Sequence, residues 1–203
     1  METAKKLFLT ILRNEQTSRP DFRKAALTLS DILAHEAVAH VPVEKIDIET
    51  PIAKTTGTTI GPNIILIPIL RSGIIMVEPF LKYFQNAKIG VVGLKRNEET
   101  AQANLYYNNI PPTHPDDVII ILDPMIATGG TGIETLKILR NMGVDEKKII
   151  FASIICSQEG VDKVTSQFPE ITILTAAIDA ELNNKKFIIP GLGDFGDRYF
   201  GTE

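Results

Sequence analysis

A threonine- and glycine-rich loop between two regular patterns is the stretch of this sequence best suited to chemistry. Residues 118–122 are five consecutive apolar side chains, which predict a strand buried on both faces. Asp123 ends this run, Thr-Gly-Gly-Thr follows at 128–131, and a helical pattern then continues to a predicted stop at Gly143. Loop amides, threonine hydroxyls and the positive end of a helix bind anions, so this order predicts a phosphate cradle.

Two commoner phosphate motifs do not fit this loop. A Walker loop requires lysine and then serine or threonine after its last glycine, but Gly130 is followed by Thr131 and Gly132. A dinucleotide fingerprint that begins at Gly130 requires glycine where Thr135 stands. The loop is therefore interpreted as a phosphate site of neither nucleotide class, and the alternative is an ordinary strand-to-helix turn that needs glycine for its shape.

Two arginines are candidates for binding further negative charge. Arg71 follows an apolar run, and its guanidinium suits bidentate binding of a pyrophosphate, although it also fits a simple surface arginine. Arg96 lies at the start of a long polar segment at 95–117. That segment suits a lid over an anionic substrate, and the alternative is a solvated charged loop.

The C-terminal tail combines glycines with carboxylates. Gly191, Gly193 and Gly196 surround Asp194 and Asp197. Glycine lets a backbone approach a ligand closely. The same composition also fits a turn-rich C-terminus packed through its aromatic side chains, and spacing alone does not separate the two interpretations.

Alternating strand and helix patterns supply the elements that position these residues. Strands are predicted at 63–69, 88–94, 118–122, 148–156 and 171–176, and helices at 2–13, 20–40, 74–84, 161–168 and after residue 130. A hairpin is predicted within 43–60, with its turn at Thr56 and Gly57, and a short strand at 105–107. This order predicts an α/β fold, a mostly parallel sheet with helices on both faces. Ligands of such sheets collect at the carboxyl ends of the strands, where Arg71, Arg96 and the loop 123–131 fall.

Composition sets limits on partners and location. The formal net charge is −4, so bulk attraction to nucleic acid or to an anionic membrane is not expected. No apolar run is long enough to span a bilayer, and a cytoplasmic protein is expected. The single cysteine, Cys156, stands in an apolar run and is predicted to be a buried structural thiol.

Four ordered motifs give the chain a resemblance to the uracil phosphoribosyltransferase family. They are Pro-Ile-Leu-Arg-Ser-Gly at 68–73, Gly-Leu-Lys-Arg-Asn-Glu-Glu-Thr at 93–100, Asp-Pro-Met-Ile-Ala-Thr-Gly-Gly-Thr at 123–131, and the tail at 190–202. The Asp-Pro pair is informative, because related phosphoribosyltransferases usually have two acidic residues at that point. The resemblance implies a type I phosphoribosyltransferase fold, with one domain over residues 1–203 whose segment 177–203 forms a small base-binding hood.

The resemblance also implies a reaction in which uracil and 5-phospho-α-D-ribose 1-diphosphate (PRPP) give UMP and diphosphate with Mg²⁺. The implied catalytic residues are Arg71, Arg96 and Asp194. The implied PRPP contacts are Arg71, Arg96, Asp123, Pro124, Met125, Ile126, Ala127, Thr128, Gly129, Gly130, Thr131 and Asp194. The implied uracil contacts are Ile188, Gly193, Asp194 and Phe195. Mg²⁺ is expected to be held mainly by PRPP, near Asp194.

Three residues depart from the family pattern: Ser72 and Phe195 stand where alanine is usual, and Phe187 stands where tyrosine is usual. An inward-pointing Phe195 ring would narrow the base pocket, whereas an outward-pointing ring would leave uracil unaffected. The resemblance further implies a homodimer or higher homo-oligomer and names GTP as a candidate effector. Two alternatives stay open, namely a pyrimidine-operon RNA-binding regulator on the same fold and a phosphoribosyltransferase for another nucleobase.

Overall fold

The computed structural model describes residues 2–96 and 103–202. The strands of its main sheet are β3 (Ile64–Leu70), β4 (Lys88–Ile89), β5 (Val91–Arg96), β6 (Ala103–Asn109), β7 (Val118–Leu122), β8 (Met125–Ile126), β9 (Ile149–Ser157) and β10 (Thr172–Asp179). They lie in the order β10–β9–β7–β3–β5–β6, with β4 beside β3 and β8 beside β9. Only β6, which pairs with β5, runs antiparallel within the described part of this sheet.

Helices cover both faces of this sheet. One face carries α1 (Glu2–Arg13), α2 (Arg19–Val38), α3 (Val77–Leu81) and the C-terminal α6 (Phe195–Phe200), and the other carries α4 (Gly130–Asn141) and α5 (Gln158–Gln167). The core alternates with the pleat of the strands: Leu66 packs into the first face, whereas Ile65 and Ile67 pack into the second. The predicted α/β architecture is confirmed. No helix among the described residues has both the length and the apolar character to cross a membrane.

The helix boundaries follow ordinary capping chemistry. Ser18 precedes α2 and its hydroxyl accepts a hydrogen bond from the Asp21 amide, while Pro20 occupies the first turn, where a missing N–H costs nothing. Gly143 adopts φ = 82° directly after α4, as predicted for a helix stop. Ser157 caps α5 by accepting from the Gly160 amide, so this helix begins at Gln158, three residues before the predicted start.

The predicted position of the hairpin turn was wrong. β1 (Val43–Glu49) and β2 (Lys54–Ile60) form an antiparallel pair, in which Gly57 lies opposite Ile46 in the middle of the ladder. The turn lies at residues 50–53, because the Thr50 hydroxyl accepts hydrogen bonds from the amides of Ile52 and Ala53 at 3.2 and 3.0 Å. The missing side chain of Gly57 makes room for that of Ile48 instead.

Two other predicted elements are interrupted. The predicted helix at 74–84 is a 3₁₀ helix over Ser72–Met76 that leads into the short α3. The predicted strand at 88–94 divides at Gly90, where a Cβ would lie 2.9 Å from Pro111, so the chain bends beneath that proline. The predicted long loop contains β6, which is longer than the expected strand at 105–107, and residues 97–102 lie outside the described part of the chain.

The C-terminal segment forms a small unit above the carboxyl edge of β10. Strands β11 (Glu181–Leu182) and β12 (Ile188–Ile189) pair antiparallel, and α6 follows them. A 3₁₀ helix at Glu146–Lys148 precedes β9 on the opposite edge.

Candidate active site

Three neighbouring strands bring the predicted site residues to one edge of the sheet. Pro68 of β3 pairs with Leu122 of β7, and Leu70 of β3 pairs with Gly93 of β5, all in parallel register. Arg71 and Asp123 therefore follow the ends of adjacent strands. Arg96 ends β5 at the same edge, and its side chain lies outside the part of the molecule that the structure describes.

The contact between the β3 and β7 ends is close. A Cβ on Gly73 would lie only 2.1 Å from the carbonyl oxygen of Leu122. The 3₁₀ helix that begins after Arg71 therefore rests directly on the last residue of β7 because position 73 has no side chain.

The loop at 123–131 is fastened to β9. The Pro124 carbonyl accepts hydrogen bonds from the amides of Ile154 and Ile155 at 3.0 and 3.1 Å. The Ser157 hydroxyl donates to the Ala127 carbonyl at 2.5 Å, and β8 within the loop pairs with β9. The loop is thus held in place by its contacts to β9.

Glycine is required where this loop enters α4. Gly129 caps the helix at φ = 72°, and a Cβ there would lie 2.9 Å from a Val164 methyl group. A Cβ on Gly132 would lie 2.4 Å from the Phe151 ring. The first amides of α4, at Gly130, Thr131 and Gly132, have no acceptor within the helix, and together with the helix dipole they are suited to bind an anion.

The carboxyl group of Asp123 lies at the base of the loop. It accepts hydrogen bonds from the Met125 amide and from the Thr131 hydroxyl, both at 3.4 Å. Burial raises the pKa of Asp123 to about 7, and these two hydrogen bonds only partly oppose that rise. Near neutral pH the group therefore exists in both forms, and its ionised form can accept hydrogen bonds from sugar hydroxyls.

Arg71 is held by the C-terminal tail. Its guanidinium donates to the Thr202 hydroxyl at 3.2 Å, lies 3.6 Å from the Asp197 carboxylate, and stacks over the Phe200 ring at 4.9 Å. The peptide bond between Leu70 and Arg71 is cis. More than half of the Arg71 side chain, 56%, remains exposed, so the charge is available to a ligand.

The predicted base-reading residues surround the start of α6. Asp194 is exposed and its carboxylate accepts from the Asp197 amide at 2.9 Å, which caps the helix. Gly193 is exposed at φ = 80°, and Ile188 is buried. A Cβ on Gly196 would lie 2.9 Å from the Ser72 hydroxyl oxygen, so the tail packs closely on the turn that follows Arg71.

The Phe195 side chain turns into the core. The residue is 1% exposed, and its ring lies 5.4 Å from that of Phe22 and 5.8 Å from that of Tyr199. The ring is therefore packed away from the exposed Gly193 and Asp194, which is the orientation expected to leave uracil unaffected. Cys156 is buried as predicted, and burial raises the pKa of its thiol to about 11.

The sequence interpretation assigned no role to several residues that organise this site. Asp197 and Thr202 hold Arg71, and their position in the glycine-rich tail was the available signal. Ser157 fastens the phosphate loop, with no signal beyond its place at the end of an apolar run. Arg13 and Asp179 form an ion pair beneath the tail, and Asp179 ends an apolar strand as Asp123 does.

The described residues contain no cluster of three or more histidine, cysteine or acidic side chains that could hold a metal ion. Mg²⁺ commonly binds to one or two carboxylates and to the phosphates of a substrate, with water completing its shell. The exposed Asp194 carboxylate beside Arg71 and Ser72 fits that mode of binding, in which the ion arrives with the substrate.

Comparison with known proteins agrees with this geometry. The family model for uracil phosphoribosyltransferase matches residues 2–202. A uracil phosphoribosyltransferase of Salinibacter ruber is 40% identical over 194 residues, which cover 96% of this chain and 91% of that protein. A solved structure from Aquifex aeolicus has a TM-score of 0.90 at 33% identity and covers 98% of this chain and 95% of that one.

A more distant likeness concerns the fold alone. A Staphylococcus aureus hypoxanthine phosphoribosyltransferase structure has a TM-score of 0.52 at 8% identity, with 79% of this chain and 77% of that chain covered. The chain therefore has the type I phosphoribosyltransferase fold. On the family match and the identity to its relatives, this chain belongs to the uracil phosphoribosyltransferase family.

Proposed function

We propose that this protein transfers the phosphoribosyl group of PRPP to uracil and releases UMP and diphosphate. The observation that carries the proposal is the meeting of three features at one sheet edge: an anion-binding loop, an exposed arginine and a glycine-rich tail. The curated relatives at about 40% identity are named for the same activity.

The loop binds the ribose 5-phosphate part of PRPP. The 5′-phosphate lies on the amides and hydroxyls at Thr128, Gly129, Gly130 and Thr131, at the start of α4. Pro124, Met125, Ile126 and Ala127 form the side of this cradle, which the contacts to β9 hold rigid. The carboxylate of Asp123 accepts hydrogen bonds from the ribose hydroxyls.

In the chemical step, C1 of the ribose exchanges its bond to diphosphate for a bond to uracil. The bond from C1 to the diphosphate oxygen breaks with its electron pair on that oxygen, N1 of uracil bonds to C1, and the N1 proton passes to water. Arg71 and Arg96 stabilise the negative charge that develops on the leaving diphosphate. Mg²⁺ brought with the diphosphate, with Asp194 near it, would supply Lewis-acid stabilisation of the same charge. No described residue stands out as a general base, so the proposal assigns catalysis to positioning and electrostatics.

The hood at 177–203 reads the base through its backbone. The contacts to uracil come from Ile188, Gly193, Asp194 and Phe195. Asp194 would also lie near the diphosphate and its metal ion. The Phe195 ring packs into the hydrophobic core and so points outward with respect to the proposed base pocket, which supports this proposal because the departure from alanine then leaves the uracil-facing backbone unobstructed.

We also propose that the protein assembles as a homodimer or higher homo-oligomer. All seven residues of β1 are exposed, and the hairpin displays Val43, Ile46, Ile48 and Ile52 to solvent. An isolated two-stranded hairpin with apolar side chains is marginal in water, so a second copy of this chain is the partner that it suits. Light scattering should give at least twice the 22.3 kDa chain mass, and the double variant Ile46→Glu with Ile48→Glu should shift it towards the monomer.

A nucleobase panel tests the activity. Purified protein, PRPP and Mg²⁺ are incubated with uracil, cytosine, hypoxanthine or adenine, and nucleotide and diphosphate are quantified. Turnover with uracil alone is expected. Turnover with another base but not with uracil would show that the proposed substrate is wrong. The regulatory alternative would be favoured if no base is turned over and the protein binds pyrimidine-operon leader RNA in a salt-sensitive way. The GTP effector and the cytoplasmic location stay predictions.

A further inference from the structure

We infer that Arg13 is a positioning residue for uracil recognition. It fixes the backbone of the hood through its contacts with Asp179 and Gly191. The inference rests on the proposed function. It concerns a helix end and a strand end that lie outside the residues assigned to either substrate.

Arg13 and Asp179 form a bidentate ion pair in a nearly enclosed position. The two guanidinium nitrogens of Arg13 lie 2.7 and 2.6 Å from the two carboxylate oxygens of Asp179. The Asp179 side chain is only 8% exposed. Burial alone would raise the pKa of Asp179, but hydrogen bonds from Arg13 and from the Gly191 amide outweigh it and lower the pKa below its usual value, so the carboxylate stays ionised.

This ion pair holds both polar groups of one hood residue. The Gly191 amide donates to the Asp179 carboxylate at 2.9 Å, and the Gly191 carbonyl accepts from Arg13 at 2.9 Å. Gly191 lies between Ile188 and Gly193, two of the proposed uracil contacts. A Cβ on Gly191 would lie 2.1 Å from the Ile188 carbonyl oxygen, so the turn between them is tight and transmits its orientation.

A second arginine extends the same arrangement by one residue. Arg198 donates to the carbonyl of Leu192 at 2.7 Å and to that of Asn14 at 2.7 Å, and it also contacts the Leu12 carbonyl. Two arginines therefore join the end of α1 to the hood segment at 191–192: Arg13 from α1 and Arg198 from α6. Because the base is read through backbone groups, an error in the orientation of these peptides becomes an error in the hydrogen bonds to uracil.

The phosphate loop has separate supports. Its contacts run to β9 and α5, and no hydrogen bond or ion pair described for Arg13 involves the loop or Arg71. Of the proposed PRPP contacts only Asp194 lies in the hood, so loss of the Arg13 contacts should weaken uracil recognition much more than PRPP binding. A residue that only stabilised the fold would not separate the two substrates.

The test is steady-state kinetics of Arg13→Ala and Arg13→Lys with each substrate varied in turn. We expect the KM for uracil to rise about tenfold in Arg13→Ala, with the KM for PRPP within about twofold of wild type. Arg13→Lys keeps the charge and the aliphatic stem but lacks the planar fork, so it should fold and show an intermediate uracil KM. Amide exchange at Gly191 should be faster in both variants.

The matched control is Arg140→Ala. Arg140 also pairs with a carboxylate, that of Glu146 at 2.8 Å, and donates to a backbone carbonyl, that of Gln167 at 2.7 Å, but it lies at the far end of α4. This variant should change neither KM. Two results with an active wild type would overturn the inference alone. One is a KM for uracil that is unchanged in both Arg13 variants, and the other is a KM that rises equally for uracil and for PRPP. An inactive wild type would overturn the proposed function and the inference with it.

Discussion

The rings of Phe195 and Phe22 lie 5.4 Å apart at an interplanar angle of 56°. This contact joins the first residue of α6 to the buried face of α2, and the Tyr199 ring also stacks on Phe195, with the ring centroids 5.8 Å apart. A bulky residue in the proposed base-reading segment is therefore part of the hydrophobic core. Its backbone, and not its ring, is what a nucleobase would meet.

Replacing Phe195 with alanine should lower stability without changing base choice. Truncating a fully buried phenylalanine costs about 3–5 kcal/mol, from lost burial and the cavity that remains. Urea denaturation measures the loss, and the nucleobase panel measures the preference. Phe80→Ala, which removes an equally buried ring from α3, is the control for stability. A changed base preference in Phe195→Ala alone would show that the ring reaches the pocket.

Replacing Arg71 with alanine should reduce turnover far more than stability. The side chain is 56% exposed and its ion pair with Asp197 spans 3.6 Å, a type of contact worth at most about 1 kcal/mol. Stabilisation of a leaving group by such a charge is worth roughly 2–4 kcal/mol, so kcat should fall by about 30-fold to 900-fold. Lys82→Ala, which removes a similarly exposed cation paired with Asp31, should leave kcat unchanged. Near-wild-type kinetics of Arg71→Ala would remove this arginine from the site.

Gly73→Ala should disrupt the junction between the Arg71 turn and β7. The new Cβ would lie 2.1 Å from the Leu122 carbonyl oxygen, a backbone atom that cannot move aside cheaply. We expect a loss of about 1–3 kcal/mol in the free energy of unfolding, together with lower activity, since Arg71 and Asp123 are displaced relative to each other. Gly130→Ala, whose Cβ would find its nearest neighbour at 3.6 Å, is the stability control and should cost less than about 0.5 kcal/mol. Equal stabilities of the two variants would contradict the close contact.

Much of the fold could be predicted from the sequence because it depends on local patterns. The apolar runs at 64–70 and 118–122 predicted the buried strands β3 and β7, and the glycine at position 143 predicted the end of α4. The hairpin turn was misplaced because Thr-Gly at 56–57 has turn composition, whereas the side chain of Thr50 decides the actual turn. Local composition does not show which of two competing segments bends.

The contacts that organise the site could not be predicted from the spacing of residues in the sequence. Arg13 and Asp179 are 166 positions apart, and nothing in either local sequence names the other as its partner. The direction of the Phe195 ring depends in the same way on Phe22, in a helix near the opposite end of the chain. Motif order placed Arg71 and Asp123 at one edge, since adjacent parallel strands end together. Their supporting contacts required the folded structure.

The final prediction concerns the pH dependence of stability and rests on Asp123. Burial raises its pKa from 3.8 to about 7 in the folded protein. Between these values the folded state keeps a proton that the unfolded chain releases, so the free energy of unfolding decreases as pH rises. The contribution is fully present below about pH 4 and is lost as pH rises through about 7. Between pH 5 and pH 8 this one group should reduce stability by about 2–3 kcal/mol.

Asp123→Asn isolates this contribution, because asparagine is similar in shape and does not titrate. Urea denaturation of the wild type and the variant at several pH values between 5 and 8 measures both slopes, and the other titrating groups cancel in the difference. We expect the difference in stability, variant minus wild type, to increase by about 2–3 kcal/mol from pH 5 to pH 8. Parallel curves would mean that Asp123 has an ordinary pKa, and that the base of the phosphate loop is more open to water than the structure indicates.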